Sequence, residues 1–124
     1  MMTNRQGFIL RWVKDTFGDR ALNPKERGAR LVEEALELGQ ACGLEYPEVG
    51  AIVDRVFSRP SGTLKQEIGG VQICLEALAE YYGIEVDDCT NDEFYRIMRL
   101  PPDYFEKKYA DKESAGILHF EDPA

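Results

Sequence analysis

The sequence predicts an all-α fold, a four-helix-bundle core with short additional helices. Three observations predict it. Apolar residues recur at helical spacing in four long segments, strong helix starts and glycine stops bracket those segments, and no segment shows the period-two alternation of a strand bounded by hairpin turns. With 124 residues, one domain over 1–113 is the simplest organisation, followed by a flexible C-terminal tail, 114–124. The chain reads as free of internal repeats and low-complexity tracts.

The first helix spans Asn4 to Phe17, with Phe8, Ile9, Trp12, Val13 and Phe17 at helical spacing, and Gly18 ends it. Asn23-Pro24-Lys25-Glu26 starts the second: asparagine caps, proline takes the first helical position, and glutamate follows three after the cap. This helix runs to Cys42 before Gly43, with Gly28, Leu31, Val32, Ala35, Leu38, Gly39 and Cys42 as its expected core stripe. A shorter third helix runs from Tyr46 to about Phe57, with Val49, Ile52, Val53 and Val56 inward. After the turn-rich connector Ser58–Gly62, Thr63 and Gln66 form a capping box for a long helix ending near Tyr82 and Gly83. Residues 84–88 read as a short connection compatible with a helical start. Thr90 and Glu93 form a second capping box before Phe94, Ile97 and Met98, and residues from Asp103 to about Lys112 form a last short helix.

Composition excludes several classes. The formal net charge is −8 and no Lys/Arg cluster supplies a basic face, which argues against duplex nucleic acid as a partner. No apolar run reaches the length of a membrane span, and the N-terminus lacks a signal-peptide pattern. Cys42, Cys74 and Cys89 lack metal-type spacing, and the first two fall on apolar helix faces, so buried free thiols in a reducing cytoplasm are expected. The single histidine, His119, lies in the polar tail, which argues against zinc. An acidic protein that handles a polyanion needs divalent cations to invert the local field.

The chemistry-bearing feature is Glu67. On the fourth long segment Leu64, Ile68, Val71, Leu75, Leu78, Ala79 and Tyr82 make one apolar arc, and Glu67 falls inside it. A carboxylate turned toward a core needs a cation or hydrogen-bond partners. Gly69 and Gly70 follow, each costing about 1 kcal/mol in a helix interior, which points to a close approach by backbone or ligand. On the second helix Glu34 flanks the apolar stripe and Glu37 lies farther round with Arg30, one turn along, while Glu33 points away. Two partners satisfy Glu67: a hard divalent cation such as Mg²⁺ shared with Glu34 and Glu37, or an arginine, Arg27 or Arg30, in a structural ion pair.

The segments LVEEALELGQ (31–40) and EIGGVQICLEALAEYYGIE (67–85), together with Glu26-Arg27, Arg30, Arg59-Pro60 and Gly62, resemble the all-α nucleoside triphosphate pyrophosphatases of the MazG-like superfamily, in particular a phage and bacterial subgroup reading EIGGV. The similarity spans most of residues 8–110. It implies hydrolysis of the α–β phosphoanhydride of a (d)NTP to a monophosphate and pyrophosphate, with Mg²⁺, or Mn²⁺ in its place. Glu34, Glu37 and Glu67 take the place of metal ligands and catalytic carboxylates. The fourth ligand, the aspartate of ExxD, falls on Gly70, and Glu33 is the nearest acid to compensate. Arg27, Arg30, Lys107 and Lys108 are the candidate phosphate-binding cations, each also readable as a plain surface charge. Trp12 suits either a stack on the base or an ordinary core position. The resemblance also implies a homodimer or homotetramer. The alternative is a catalytically degenerate nucleotide-binding or helical protein-interaction module of the same fold, to which the Gly70 departure points.

Overall fold

The computed structural model describes residues 4–117 and is helical throughout, with no strand among them. The helices are α1 (Asn4–Phe17), α2 (Pro24–Ala41), α3 (Tyr46–Phe57), α4 (Leu64–Tyr81), α5 (Val86–Met98) and α6 (Pro102–Ser114), with a 3-10 turn at Asp19–Ala21. α6 runs through Ser114, where the loose tail was expected to begin; 118–124, with His119, lie outside the described residues. The chain divides into two compact units, Met1–Leu44 with Leu100–Ala124, and Glu45–Arg99.

Local chemistry sets most boundaries. Asn23 Oδ1 accepts a 2.8 Å hydrogen bond from the Glu26 amide while its Nδ2 donates to the Arg20 carbonyl, so the start of α2 is tied on both sides. At α4 the equivalent bond, from the Gln66 amide to Thr63 Oγ1, is longer at 3.4 Å. At the far ends Gly43 (φ 98°) and Gly83 (φ 68°) turn into the left-handed region, which lets Leu44 N–H reach the Gly39 carbonyl and Ile84 N–H reach the Ala79 carbonyl. Glu45 and Glu85 then occupy the N-cap positions of α3 and α5, and at α3 the Glu45 N–H donates to Glu48 Oε1 at 2.9 Å.

These features reveal a repeat that the sequence reading missed. Asn23 and Thr63, Gly43 and Gly83, Leu44 and Ile84, and Glu45 and Glu85 are each forty residues apart, and both helices between cap and glycine contain 18 residues. The similarity lies in caps and turns rather than in long identical stretches, so it is faint in the sequence. It also corrects the N-cap of α5. The residue at that position is Glu85 rather than Thr90, whose hydroxyl instead donates to the Val86 carbonyl from within the helix.

In the first unit α1 and α6 meet through aromatic rings: Trp12 lies 5.4 Å from Phe105 and 5.9 Å from Phe17, all near-perpendicular, with Phe17 and Phe105 5.7 Å apart. Arg20 caps the Tyr109 ring at 3.6 Å. The packing of α2 reverses the expectation. Its covered face carries Glu26, Arg30 and Glu33, at i, i+4 and i+7; Glu26 is only 7% exposed, while Leu31, Val32, Leu38 and Cys42 on the expected core stripe are exposed. The cause is α6, which brings Lys112 to Glu33 at 2.9 Å and so covers the charged face with charge.

In the second unit α4 packs on α5 through its C-terminal half, where Ala79 is buried and Leu75 and Leu78 are half-buried. Phe94 and Ile97 are half-buried on α5. The N-terminal half of α4 is uncovered: Leu64 is 83% and Ile68 67% exposed. Ile52, Val53 and Val56 of α3, expected inward, are exposed too. All three cysteines are free and exposed, contrary to the buried thiols expected, because the apolar faces bearing Cys42 and Cys74 are not covered within the chain.

Candidate functional site: carboxylates on α2 and α4

On α2 the predicted acids differ in how far they are committed. Glu33, expected to point away, is half-buried and takes ion pairs from Arg30 Nη1 at 3.4 Å and Lys112 Nζ at 2.9 Å. Glu34 and Glu37 are exposed, and among the described residues no ion pair holds Glu37. The ammonium of Lys108 on α6 is pushed above the usual lysine range, first by its hydrogen bond with Tyr104 and further by the fields of Glu37 and Glu33. Lys108 also lies 5.1 Å from the Tyr104 ring centroid. The first unit thus has a lysine of α6 in the field of Glu37 and Glu33. Lys107 is exposed.

The two arginines are tied into the fold. Arg30 Nε lies 3.3 Å from Glu26 Oε1, its Nη1 meets Glu33, and its Nη2 donates a 2.6 Å bond to the Ile117 carbonyl just beyond α6. Arg27 Nε donates to the Ala21 carbonyl at 2.8 Å. Burial lowers the Arg27 guanidinium from its ordinary value, partly offset by Glu26 and reinforced by Arg30. Trp12 is half-buried in the aromatic cluster.

On α4 Glu67 is exposed rather than inward, since the apolar arc around it is itself uncovered. Its carboxylate has no hydrogen bond or ion pair among the described residues, while its backbone N–H donates to the Thr63 carbonyl at 3.0 Å. Its side chain curls back over the connector, and a Cβ on Gly62 would stand 2.6 Å from Glu67 Oε1. The close approach expected at Gly69 and Gly70 is not made within the chain: a Cβ at either position would meet nothing within 4 Å. Glu67 rests on a different glycine.

Among the described residues no three acidic, histidine or cysteine side chains converge as a ready-made metal cage. The donor set itself, exposed carboxylates without nitrogen or sulfur, suits a hard cation such as Mg²⁺. No helix among the described residues is long and apolar enough to cross a membrane. Comparison of the chain with protein families, curated proteins and solved structures finds no match.

Proposed function

We propose that this chain is a Mg²⁺-dependent nucleoside triphosphate pyrophosphohydrolase, cleaving the α–β phosphoanhydride of a (d)NTP to a monophosphate and pyrophosphate. What supports the reading is Lys108 of α6, whose ammonium lies 5.1 Å from the Tyr104 ring centroid and feels the fields of Glu37 and Glu33, two carboxylates of the first motif. Glu34, Glu37 and Glu67 are the residues that would hold the metal, with Glu33 kept by Arg30 and Lys112 in a supporting role. Bound Mg²⁺, or Mn²⁺, would neutralise phosphate charge and acidify a water. Lys108 and Lys107 would take up the phosphate charge that develops on cleavage. Arg30 and Arg27 contribute by fixing α2, because their Nε groups are already engaged.

The same reading includes a four-helix core of the all-α pyrophosphatase type, completed in a cytoplasmic homodimer or homotetramer. Exposed apolar residues on α2, α3 and the first half of α4 supply surface for such an assembly. In the test, purified protein is incubated with Mg²⁺ and a panel of canonical and modified nucleotides, and the products are separated. Monophosphate and pyrophosphate in excess of a Glu37→Gln control are expected; their absence overturns the reading.

Gly70 favours a second reading, a nucleotide-binding or protein-interaction module that has lost turnover. It predicts nucleotide-dependent thermal stabilisation without hydrolysis. A side chain at position 70 has open space, so Gly70→Asp tests the missing ligand without crowding and should raise Mg²⁺ affinity.

A further inference from the structure

We infer that Gly62 is a positioning residue for Glu67: its missing side chain is the space in which the Glu67 carboxylate rests, which holds that carboxylate ready for a divalent cation. This rests on the reading of Glu67 as a metal ligand. Three observations within one unit carry it.

The first is steric. A Cβ on Gly62 would lie 2.6 Å from Glu67 Oε1, 3.3 Å from its Cδ and 3.5 Å from its Cγ, so an alanine there and the present carboxylate position are incompatible. The second is conformational. The positive-φ glycines are Gly18, Gly43, Gly83 and Gly116, and Gly62 is not among them. Its backbone is one that an L residue adopts, so turn geometry does not demand a glycine at this position.

The third is positional. Thr63 is the N-cap of α4, so Gly62 immediately precedes the cap and Glu67 is the fourth residue of the helix. Those two positions meet in space at many helix starts, where a pair of apolar side chains commonly fills them. Here a glycine and a carboxylate replace both. The repeat supplies a control. Forty residues earlier the same two positions are Leu22 and Arg27, and Arg27 likewise folds back before its cap, donating to the Ala21 carbonyl. Arg27 spends its donor on the backbone. The Glu67 carboxylate, an acceptor, finds no partner among the described residues and remains available.

The atoms that an added Cβ would strike belong to the end of a flexible side chain, so Gly62→Ala should fold normally and simply displace the carboxylate. The test uses the full chain as wild type, Gly62→Ala, Glu67→Gln and the double variant, titrated by calorimetry with Mg²⁺ alone and with Mn²⁺ alone, alongside thermal melting. Gly62→Ala is expected to weaken cation binding about tenfold or more, the usual effect of losing a group that orients a ligand. Its melting temperature should be unchanged or higher, and it should add nothing to the loss in the Glu67→Gln background. Wild-type affinity in Gly62→Ala overturns the positioning role alone. An additive loss in the double variant also overturns it, since a merely structural glycine would act independently of Glu67. No cation binding by wild type, or full binding by Glu67→Gln, overturns the metal reading of Glu67 and this inference with it.

Discussion

α2 and α4 are built alike yet used differently. Each has 18 residues, a polar N-cap forty residues from the other's and a left-handed glycine past the end. Around α2 the charged face is spent inside its own unit: Glu26 and Glu33 hold Arg30, and Lys112 closes on Glu33. Around α4 only the C-terminal half is packed, and the first half presents Leu64, Ile68 and Glu67 uncovered. A glutamate's role is therefore set by what the neighbouring helix brings to it. Glu33 is a structural anion because α6 carries Lys112; Glu67 is uncommitted because no cation in its unit reaches it.

Removing each kind of glutamate should break this contrast most visibly. If the proposed pyrophosphohydrolase reading holds, Glu67→Gln is expected to lower Mg²⁺-dependent hydrolysis about a hundredfold or more, since on that reading it removes a ligand rather than an outer-shell group. Glu33→Gln should lower stability more than it lowers turnover. Steady-state rates beside denaturant melts separate the two; equal kinetic losses would erase the distinction.

The buried end of the α2 network gives the next largest effect. Glu26→Ala leaves Arg30 Nε, already fully enclosed and without a hydrogen bond, lacking its ion-pair partner. Arg30 keeps Glu33 and the Ile117 carbonyl, so a destabilisation of about 2 kcal/mol is expected from urea unfolding.

The two caps should then differ in the same direction. Asn23→Ala removes a buried 2.8 Å bond and is expected to cost about 1 kcal/mol; Thr63→Ala removes an exposed 3.4 Å one and should cost less.

The smallest effect is a pH dependence at Lys108. Its folded-state value is raised by Tyr104, with Glu37 and Glu33 adding to it, so its stabilising contribution is complete below the ordinary lysine range and is lost as pH rises through the raised value. The melting-temperature difference between wild type and Lys108→Met should accordingly shrink in strongly alkaline buffer. A difference that stays constant with pH would assign the effect to packing.

Much of the helix content was legible because its causes are local. Periodicity and capping marked α1, α2 and α3 closely, and glycine stops marked the ends of α2 and α4. The N-cap of α5 was missed because Thr90 resembles a cap, while the residue at that position, Glu85, is recognisable only beside its counterpart Glu45. For the candidate site, the sequence singled out Glu34, Glu37, Glu67 and Lys108, but a helical wheel assumes that the apolar arc is the covered one. On α2 the charged arc is covered, and the wheel cannot know that α6 supplies lysines to it.

By itself the sequence determined where α1 to α4 begin and end and which carboxylates share a helix, since those depend on residues within a turn or two of each other. Only the tertiary structure decided which acids are already neutralised by a neighbour. It also showed that the glycine under Glu67 is Gly62, whose role depends on a side chain folding back through space. Burial and charge pairing are set by elements distant in sequence, as Glu33 with Lys112 shows.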